Sequence, residues 1–409
     1  MSFIDGKIAD IIVNRVRALK VPPNGILTPE QGGAAEATQS ASVREVQFSD
    51  FEGVRALNLR LGQGPDSVEN WRRLWLENPA LDDGKGSSPI GWMLQASQSV
   101  VGFLGTIPLR YEFEGRVLRA AATCRFAVDP AYRAFSHLLT LSFFRQKNVD
   151  LFLNTTATVE AGKMMMANKA SPLPQPDYGT VLFWVLAPRP FTRAVFKKLG
   201  MRSSLAGPAG AVASVAVRGD ATIRRRGPRF KHSDYSVKEI NLRDMGQQFK
   251  PLWSAASTRT ARLFASRTPE VMCWHFDPPH NRRKVSIISC ELENVPFGYV
   301  IVRHEEETTH GIRRSLVADM MIKDDDPVIL EQLMAFACNS SRKAGSHVLE
   351  VMGFPRNIRR NLLRLKPYSR RYPAGPFFYK ARDRSLHERL SDESVWYASP
   401  FDGDATLWP

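Results

Sequence analysis

Short apolar runs alternate along this chain with amphipathic stretches, and the alternation predicts an α+β protein. Residues 118–128, rich in Ala, Phe and Val, read as a strand ending at the turn signal Asp129-Pro130. Phe135, Leu138, Leu139 and Phe143 then share one helical face over 135–147, and 149–153 is a short apolar strand. Upstream, 43–48 reads as a strand and 50–61 as a helix. Asp66 with Glu69 suggests a capping box for a second helix carrying Trp71, Leu74 and Trp75. Strands at 92–95 and 100–109, a helix near 159–169 and a strand at 180–186 complete a first unit.

Residues 200–229 are rich in Gly, Ala and Ser and then basic, and read as a boundary in which 211–217 forms an extra strand. A second series follows. It has a strand at 237–240, a helix at 245–256 and a helix opened by Thr268-Pro269-Glu270. Strands at 285–291, 297–303 and 315–322, a helix after Asp326-Pro327 and a strand at 348–352 complete it. Residues 1–20 read as an amphipathic helix with Ile4, Ile8, Ile11 and Ile12 on one side, and 22–42 as a linker. The expected division is 1–42 helix and linker, 43–200 first domain, 201–234 linker, 235–385 second domain and 386–409 tail. Trp396, Tyr397, Phe401 and Trp408 predict that the tail packs back on the body.

The two series resemble one another. Trp75-x-x-Asn78-Pro79 matches Trp274-x-x-Asp277-Pro278, Gly102 matches Gly298, Asp129-Pro130 matches Asp326-Pro327, and Leu151 matches Val348. Four matches in order, at nearly constant spacing, predict a duplication. The paired tryptophans are expected under the sheets, as core.

Composition narrows the field. A net charge of +15 favours anionic partners such as nucleotide cofactors, nucleic acid, acidic sugars or a membrane surface. Cys124, Cys273, Cys290 and Cys338 have neither C-x-x-C spacing nor histidines at a metal-finger offset, so they are expected to be reduced core thiols of a cytoplasmic protein without a metal site. The longest apolar run, 181–187, is too short to span a bilayer, and charges interrupt the N-terminus where a signal peptide would be apolar.

The element order, together with Val128-Asp129-Pro130-Ala131-Tyr132-Arg133, resembles the GCN5-related N-acetyltransferase (GNAT) fold and the start of its acyl-CoA motif, a V-x-P-x-x-R turn. The resemblance covers about 43–187 and, more faintly, 235–382. It implies two tandem GNAT-like domains, each a mixed, mostly antiparallel sheet flanked by helices. It also implies acetyl-CoA or another acyl-CoA as co-substrate, held by Phe126, Ala127, Val128, Arg133, Ala134, Phe135, Ser136, His137 and Asn154. The family continues with R-x-x-G-x-G/A, whereas Arg133 is followed here by Ala134-Phe135-Ser136-His137, leaving Ser136 and His137 as donors in place of glycine amides. In the second copy, Lys323-Asp324-Asp325-Asp326 puts acid where phosphate would sit, so that copy is expected to be degenerate.

The family's reaction centre would fall between 123–128 and 151–156. An amine's proton needs a base, His137 or Glu160, and the leaving thiolate an acid, Tyr178. The implied function is acyl transfer to an amine of a small-molecule or glycan acceptor, such as an amino sugar or polysaccharide precursor. Two alternatives stand beside it: a FemAB-like transferase using aminoacyl-tRNA, and a binding protein that kept the fold without catalysis. The run Arg356, Arg359, Arg360, Arg364, Lys366, Arg370 and Arg371 with Tyr368 and Tyr372 has the composition of a nucleic-acid grip but no accompanying motif, and reads as a solvated or anion-facing surface.

Overall fold

The computed structural model describes residues 40–64, 66–81, 88–230, 232–259, 261–277, 285–372 and 376–408. The expected N-terminal helix, most of the first linker and Pro278 lie outside the described residues. The first half contains β1 (Ser42–Glu45), α1 (Phe51–Arg60), α2 (Val68–Trp75), β2 (Gly91–Ala96), β3 (Ser99–Phe113), β4 (Arg116–Val128), α3 (Ser136–Phe144), β5 (Leu151–Asn154), α4 (Val159–Ala167), β6 (Ser171–Pro172) and β7 (Thr180–Val185). Two helices, α5 (Pro188–Lys198) and α6 (Ser203–Ile223), lead to the second half. That half contains β8 (Ser236–Ile240), α7 (Lys250–Arg259), β9 (Phe264–Ala265), α8 (Pro269–Phe276), β10 (Val285–Leu292), β11 (Val295–His304), β12 (Arg314–Ile322), α9 (Pro327–Lys343), β13 (Val348–Val351), α10 (Arg356–Arg364), β14 (Tyr368–Arg371), β15 (Phe378–Ala381) and α11 (Arg384–Arg389).

Two mixed sheets result, as the α+β reading expects. One runs β1-β2-β3-β4-β5-β15-β6, with β9 on β3, and the other β14-β7-β13-β12-β11-β10-β8. Pairing is antiparallel except for β4 with β5 and β12 with β13. The strand expected at 180–186 to complete the first unit does not do so. It lies in the second sheet between β13 and β14, with Phe183 opposite Glu350 and Tyr368. Reciprocally, β15 enters the first sheet between β5 and β6. The Val-Leu-Phe-Trp-Val run is apolar on both faces, as a central strand must be. Nothing local in it selects a partner some 170 residues away.

The stretch read as a linker with a strand at 211–217 is the 21-residue helix α6. Its Ala-rich composition favours helix over strand, and Thr192 on α5 donates to Gly210 O (2.7 Å). A Cβ at Gly210 would sit 2.9 Å from the Arg193 backbone, so glycine permits the close approach of the two helices. The helix expected at 245–256 begins later, at Lys250, after two 3-10 turns. The cap of α2 is Ser67, accepting from Asn70 N, while Asp66 takes the Trp71 indole (3.0 Å).

The repeat is structural. Trp75 and Trp274 are buried at the ends of α2 and α8; Trp75 donates to Thr106 O (2.7 Å), and Trp274 to Arg73 O (2.9 Å). Arg73 answers by donating to Trp274 O (2.8 Å), so the two repeated helices meet. Gly102 and Gly298 are matched for space. A Cβ at the first would lie 2.7 Å from Leu94 Cδ1, and at the second 3.0 Å from Ile329 Cγ2. The four cysteines are unpaired, three of them buried. The tail packs as expected, with Trp396, Tyr397 and Phe401 all buried.

The exchanged strands make the halves one folding unit. Leu182→Ala, which empties a fully buried position on β7, is expected to cost about 2–5 kcal/mol. Both halves should melt together in one calorimetric transition. Separate transitions, with only the second shifted, would contradict the coupling.

Candidate active site

β4 and β5 pair over only three positions, Ala120–Ala122 against Leu151–Leu153. Beyond them the strands part. β4 continues against β3 to Val128, while Asn154 has no β4 partner and is held only along its other edge, where β15 pairs with all of β5. At the parting point β4 carries a bulge. Gly105 faces Cys124 and Leu104 faces Phe126, leaving Arg125 between them with φ 48°. A bulge of this kind re-aims side chains and frees backbone groups beside a site. The gap is bounded by residues 123–128 on one side and 154–156 on the other.

One face of the gap is apolar, with Phe126 and Phe144 against Ala157, Ala161, Met165 and Phe378. Its open end leads to the start of α3. A 3-10 turn, Pro130–Phe135, runs straight into α3, whose Ser136 and Leu138 stand where the family motif has its glycines, and no side chain caps the first turn of α3. Arg133 is exposed there and makes no ion pair among the described residues. The Ser136 N–H is taken by Arg133 O, but a helix start with no side-chain cap and a cation beside it suits a phosphate. Asp129, the acid nearest this end in sequence, is already bound by Arg60 (2.6 Å).

The candidate residues separate into two groups. Ser136 donates its hydroxyl to Arg133 O (2.7 Å), and His137 Nδ1 bonds Ala134 O (2.8 Å), so both side chains fold back on their own loop. With Nδ1 donating, a neutral His137 keeps Nε2 as an outward acceptor. Glu160 is exposed on the first turn of α4. α4 adjoins α3 through Ser136 Oγ and Met164 Sδ (3.4 Å). Tyr178 is elsewhere, buried in the main core with its hydroxyl toward Ser399 O (3.3 Å), and burial holds its proton well above the ordinary range.

The other face of the gap is covered by the C-terminal tail, with two carboxylates that sequence reasoning missed. Asp404 accepts from the hydroxyls of Thr155 and Thr156 (both 3.2 Å), directly after β5, and from the Trp408 indole (3.1 Å). The Arg125 guanidinium lies over the Trp408 ring at 4.2 Å. Asp402 accepts from the Tyr111 hydroxyl and from Ser399 N (2.7 Å each). Burial raises both carboxyls, and that of Asp402 is pushed up to about 6. Burial likewise keeps the Cys124 thiol protonated, which argues against a nucleophilic role. An Asp-Gly-Asp in a tail was the only sequence signal, and spacing alone says nothing of where a tail docks.

The second sheet repeats the parting, with β12 and β13 paired over three positions and a bulge at Ala318. Its gap is occupied. Asp319 is held by Arg267 (2.9 Å twice) and Tyr299 (2.7 Å), and Tyr397 of the tail donates to Met320 O (2.6 Å). The start of α9 is capped by the Asp326 carboxylate, and Asp325 is bound by Arg262 and Asn357. Two arginines of the basic-aromatic run are internally engaged, while Arg356, Arg360, Arg364, Lys366 and Arg371 are exposed. Arg359 donates to Gly353 O and Thr180 O, and Arg370 pairs with Glu350.

No family model matches the chain, and no curated protein matches it. Solved structures do. A GCN5-related N-acetyltransferase from Anabaena variabilis aligns over 84% of this chain and 73% of its own, at 11% identity and TM-score 0.54. A Saccharomyces cerevisiae N-myristoyltransferase with bound myristoyl-CoA aligns over 89% and 85%, at 12% identity and TM-score 0.52. A probable N-acyltransferase from Enterococcus faecalis gives 9% identity and TM-score 0.53. At these identities the likeness establishes the fold, which is the tandem GNAT arrangement.

Asp402 gives the docked tail a pH signature. Its carboxyl is raised from 3.8 to about 6, so the folded state favours the protonated form. The stabilisation is complete below the unfolded value and is lost as pH rises through the folded one. Melting temperature measured across this window is expected to fall less steeply with pH in Asp402→Asn than in the parent; identical slopes would contradict the assignment.

Proposed function

We propose that this chain is an acyl-CoA-dependent N-acyltransferase working in the gap between β4 and β5. The observation that supports this most is the parting of those strands at a bulge, beside an uncapped, cationic helix start. In this reading Arg133 and the backbone of 134–137 hold the pyrophosphate. Phe126, Ala127, Val128 and Asn154 line the pantetheine arm, and the thioester sits between the strands. The acceptor nitrogen attacks the thioester carbon; the new C–N bond replaces the C–S bond, and the thiolate leaves. Asp404, raised by burial and held beside Thr155, is the carboxylate best placed to take the amine's proton. His137 and Glu160, on α3 and α4, are the rival bases; Tyr178, expected from the sequence as the thiolate's acid, is buried in the main core with its hydroxyl on Ser399 O and is set aside for that role. The second half is a scaffold whose own gap is filled by protein.

The acceptor proposed is an amine on an amino sugar or polysaccharide precursor, a class compatible with the positive charge. Four unpaired thiols, three of them buried, fit a reducing compartment such as the cytoplasm. Among the described residues no helix is long and apolar enough to cross a membrane. The tRNA-dependent reading draws support from the absent glycines, since such a donor makes no demand on the pyrophosphate loop.

Calorimetric titration with acetyl-CoA and with longer acyl-CoAs tests the reading. Binding is expected, and Arg133→Glu should weaken it by about tenfold, the loss of one charge-assisted contact and its reversal. No heat with any acyl-CoA would overturn it. Among single variants, Asp404→Asn is expected to slow turnover by about 100-fold or more, the usual worth of a general base. A full rate in Asp404→Asn with loss in His137→Ala or Glu160→Gln would move the base to α3 or α4.

A further inference from the structure

Helix α6 is built in reverse of an ordinary surface helix. Its inner face is small: Ala206, Gly210, Ala213 and Val217 are buried against α5 and the second sheet. Its outer face, which solvent should make polar, carries Leu205, Val212, Val215 and Ile223, exposed by 61, 75, 69 and 83%. Their spacing of seven, three and eight residues places them on one side of the helix, with Pro208 and Gly219 between them. An apolar stripe this long, left in water, marks a contact surface.

The charge around it says what kind. Residues 188–230, the two helices and the turn after them, contain ten Lys or Arg and a single acid, Asp220. Arg202 precedes the stripe, Arg218 flanks it, and Arg224, Arg225 and Arg229 follow it, all exposed. Asp220 offers no compensating charge, because Arg224, Arg226 and the Tyr368 hydroxyl bind it at 2.6–2.8 Å. Phe230, half exposed, adds a ring at the basic end.

We infer that α6 is a peripheral membrane-docking element, which lays the Leu205–Ile223 stripe into the interface of a bilayer rich in anionic phospholipid. Apolar side chains on one helix face, framed by arginines, are what an interfacial helix requires: the stripe enters the acyl boundary while the guanidiniums meet lipid phosphates. The helix lies on the membrane rather than across it, since its inner face is already packed on protein. A second copy of this chain is disfavoured as the cover, because its cationic rim would meet itself. The amphipathic segment at 1–20 is disfavoured for the same reason, with four cations against two acids. The proposal is independent of the acyltransferase reading, and places whatever the chain does at a lipid surface.

Vesicle flotation of the full-length protein tests it, using phosphatidylcholine vesicles with and without phosphatidylserine. Association is expected only with phosphatidylserine present. It should drop at least tenfold on raising salt from about 0.1 to 0.5 M, as screening of phosphate contacts demands. Val212→Glu/Val215→Glu, two outward-facing positions, should lose association with an unchanged melting temperature, and Arg225→Glu/Arg229→Glu should lose it too. Ile8→Glu/Ile11→Glu should retain it. The proposal is overturned if the parent fails to float with anionic vesicles, or if both α6 variants float as the parent does. It is equally overturned if only the Ile8→Glu/Ile11→Glu variant fails to float. Light scattering that shows a dimer dispersed by Val212→Glu/Val215→Glu would assign the stripe to a second copy instead.

Discussion

The structure depends on the exchange of β7 and β15. Each sheet needs a strand beside its short parallel member, β5 or β13, and each obtains it from the other half. Neither half can complete its sheet alone, because an open edge at β5 or β13 would leave a row of backbone groups unpaired in the core. The exchange fixes the two sheets relative to one another. Each parallel pair spans only three positions, while β5 pairs with β15, and β13 with β7, over four along the opposite edge. The gap between β4 and β5 opens beside the bulge at Arg125.

Fixing the sheets creates a seam, and the tail fills it. Residues 396–399 close over the gap of the second sheet, with Tyr397 bonded to Met320 O and Ser399 beside Asp319. Residues 402–408 then cross to the first, where Asp404 meets Thr155 and Thr156. His275 from α8 bonds Thr406 (2.8 Å), and Arg73 from α2 donates to Leu407 O, so both halves grip the tail. Two sites related by duplication thus end differently. One is stoppered by an Arg267–Asp319 ion pair and a tyrosine. The other keeps an apolar face, an uncapped helix start, and a buried carboxylate that a proton-transfer step can use.

Much of this was legible in the sequence. Strand alternation and the Asp-Pro turns located β2–β4 and β10–β12 to within a few residues, because these elements are set by local pattern. The repeat of Trp75 and Trp274 was visible because a large buried ring needs the same pocket twice. The destinations of β7, β15 and the tail were not visible, since they are fixed by contacts far apart in the chain. The 211–217 stretch misled because Val-rich and Ala-rich runs of that length suit either a buried strand or a helix; close packing at Gly210 on α5 decides it. Asp404 escaped notice for the same reason as the strand exchange: its meaning lies in Thr155, about 250 residues away.

A crystal structure with a non-hydrolysable acyl-CoA analogue puts the account to its most direct test. The analogue's carbonyl is expected between residues 123–126 and 154–156, its pyrophosphate at the start of α3 beside Arg133, and Asp404 facing the carbonyl from the opposite side. An analogue seated in the second sheet's gap, or β4 and β5 closed against it with the ligand bound elsewhere, would contradict it.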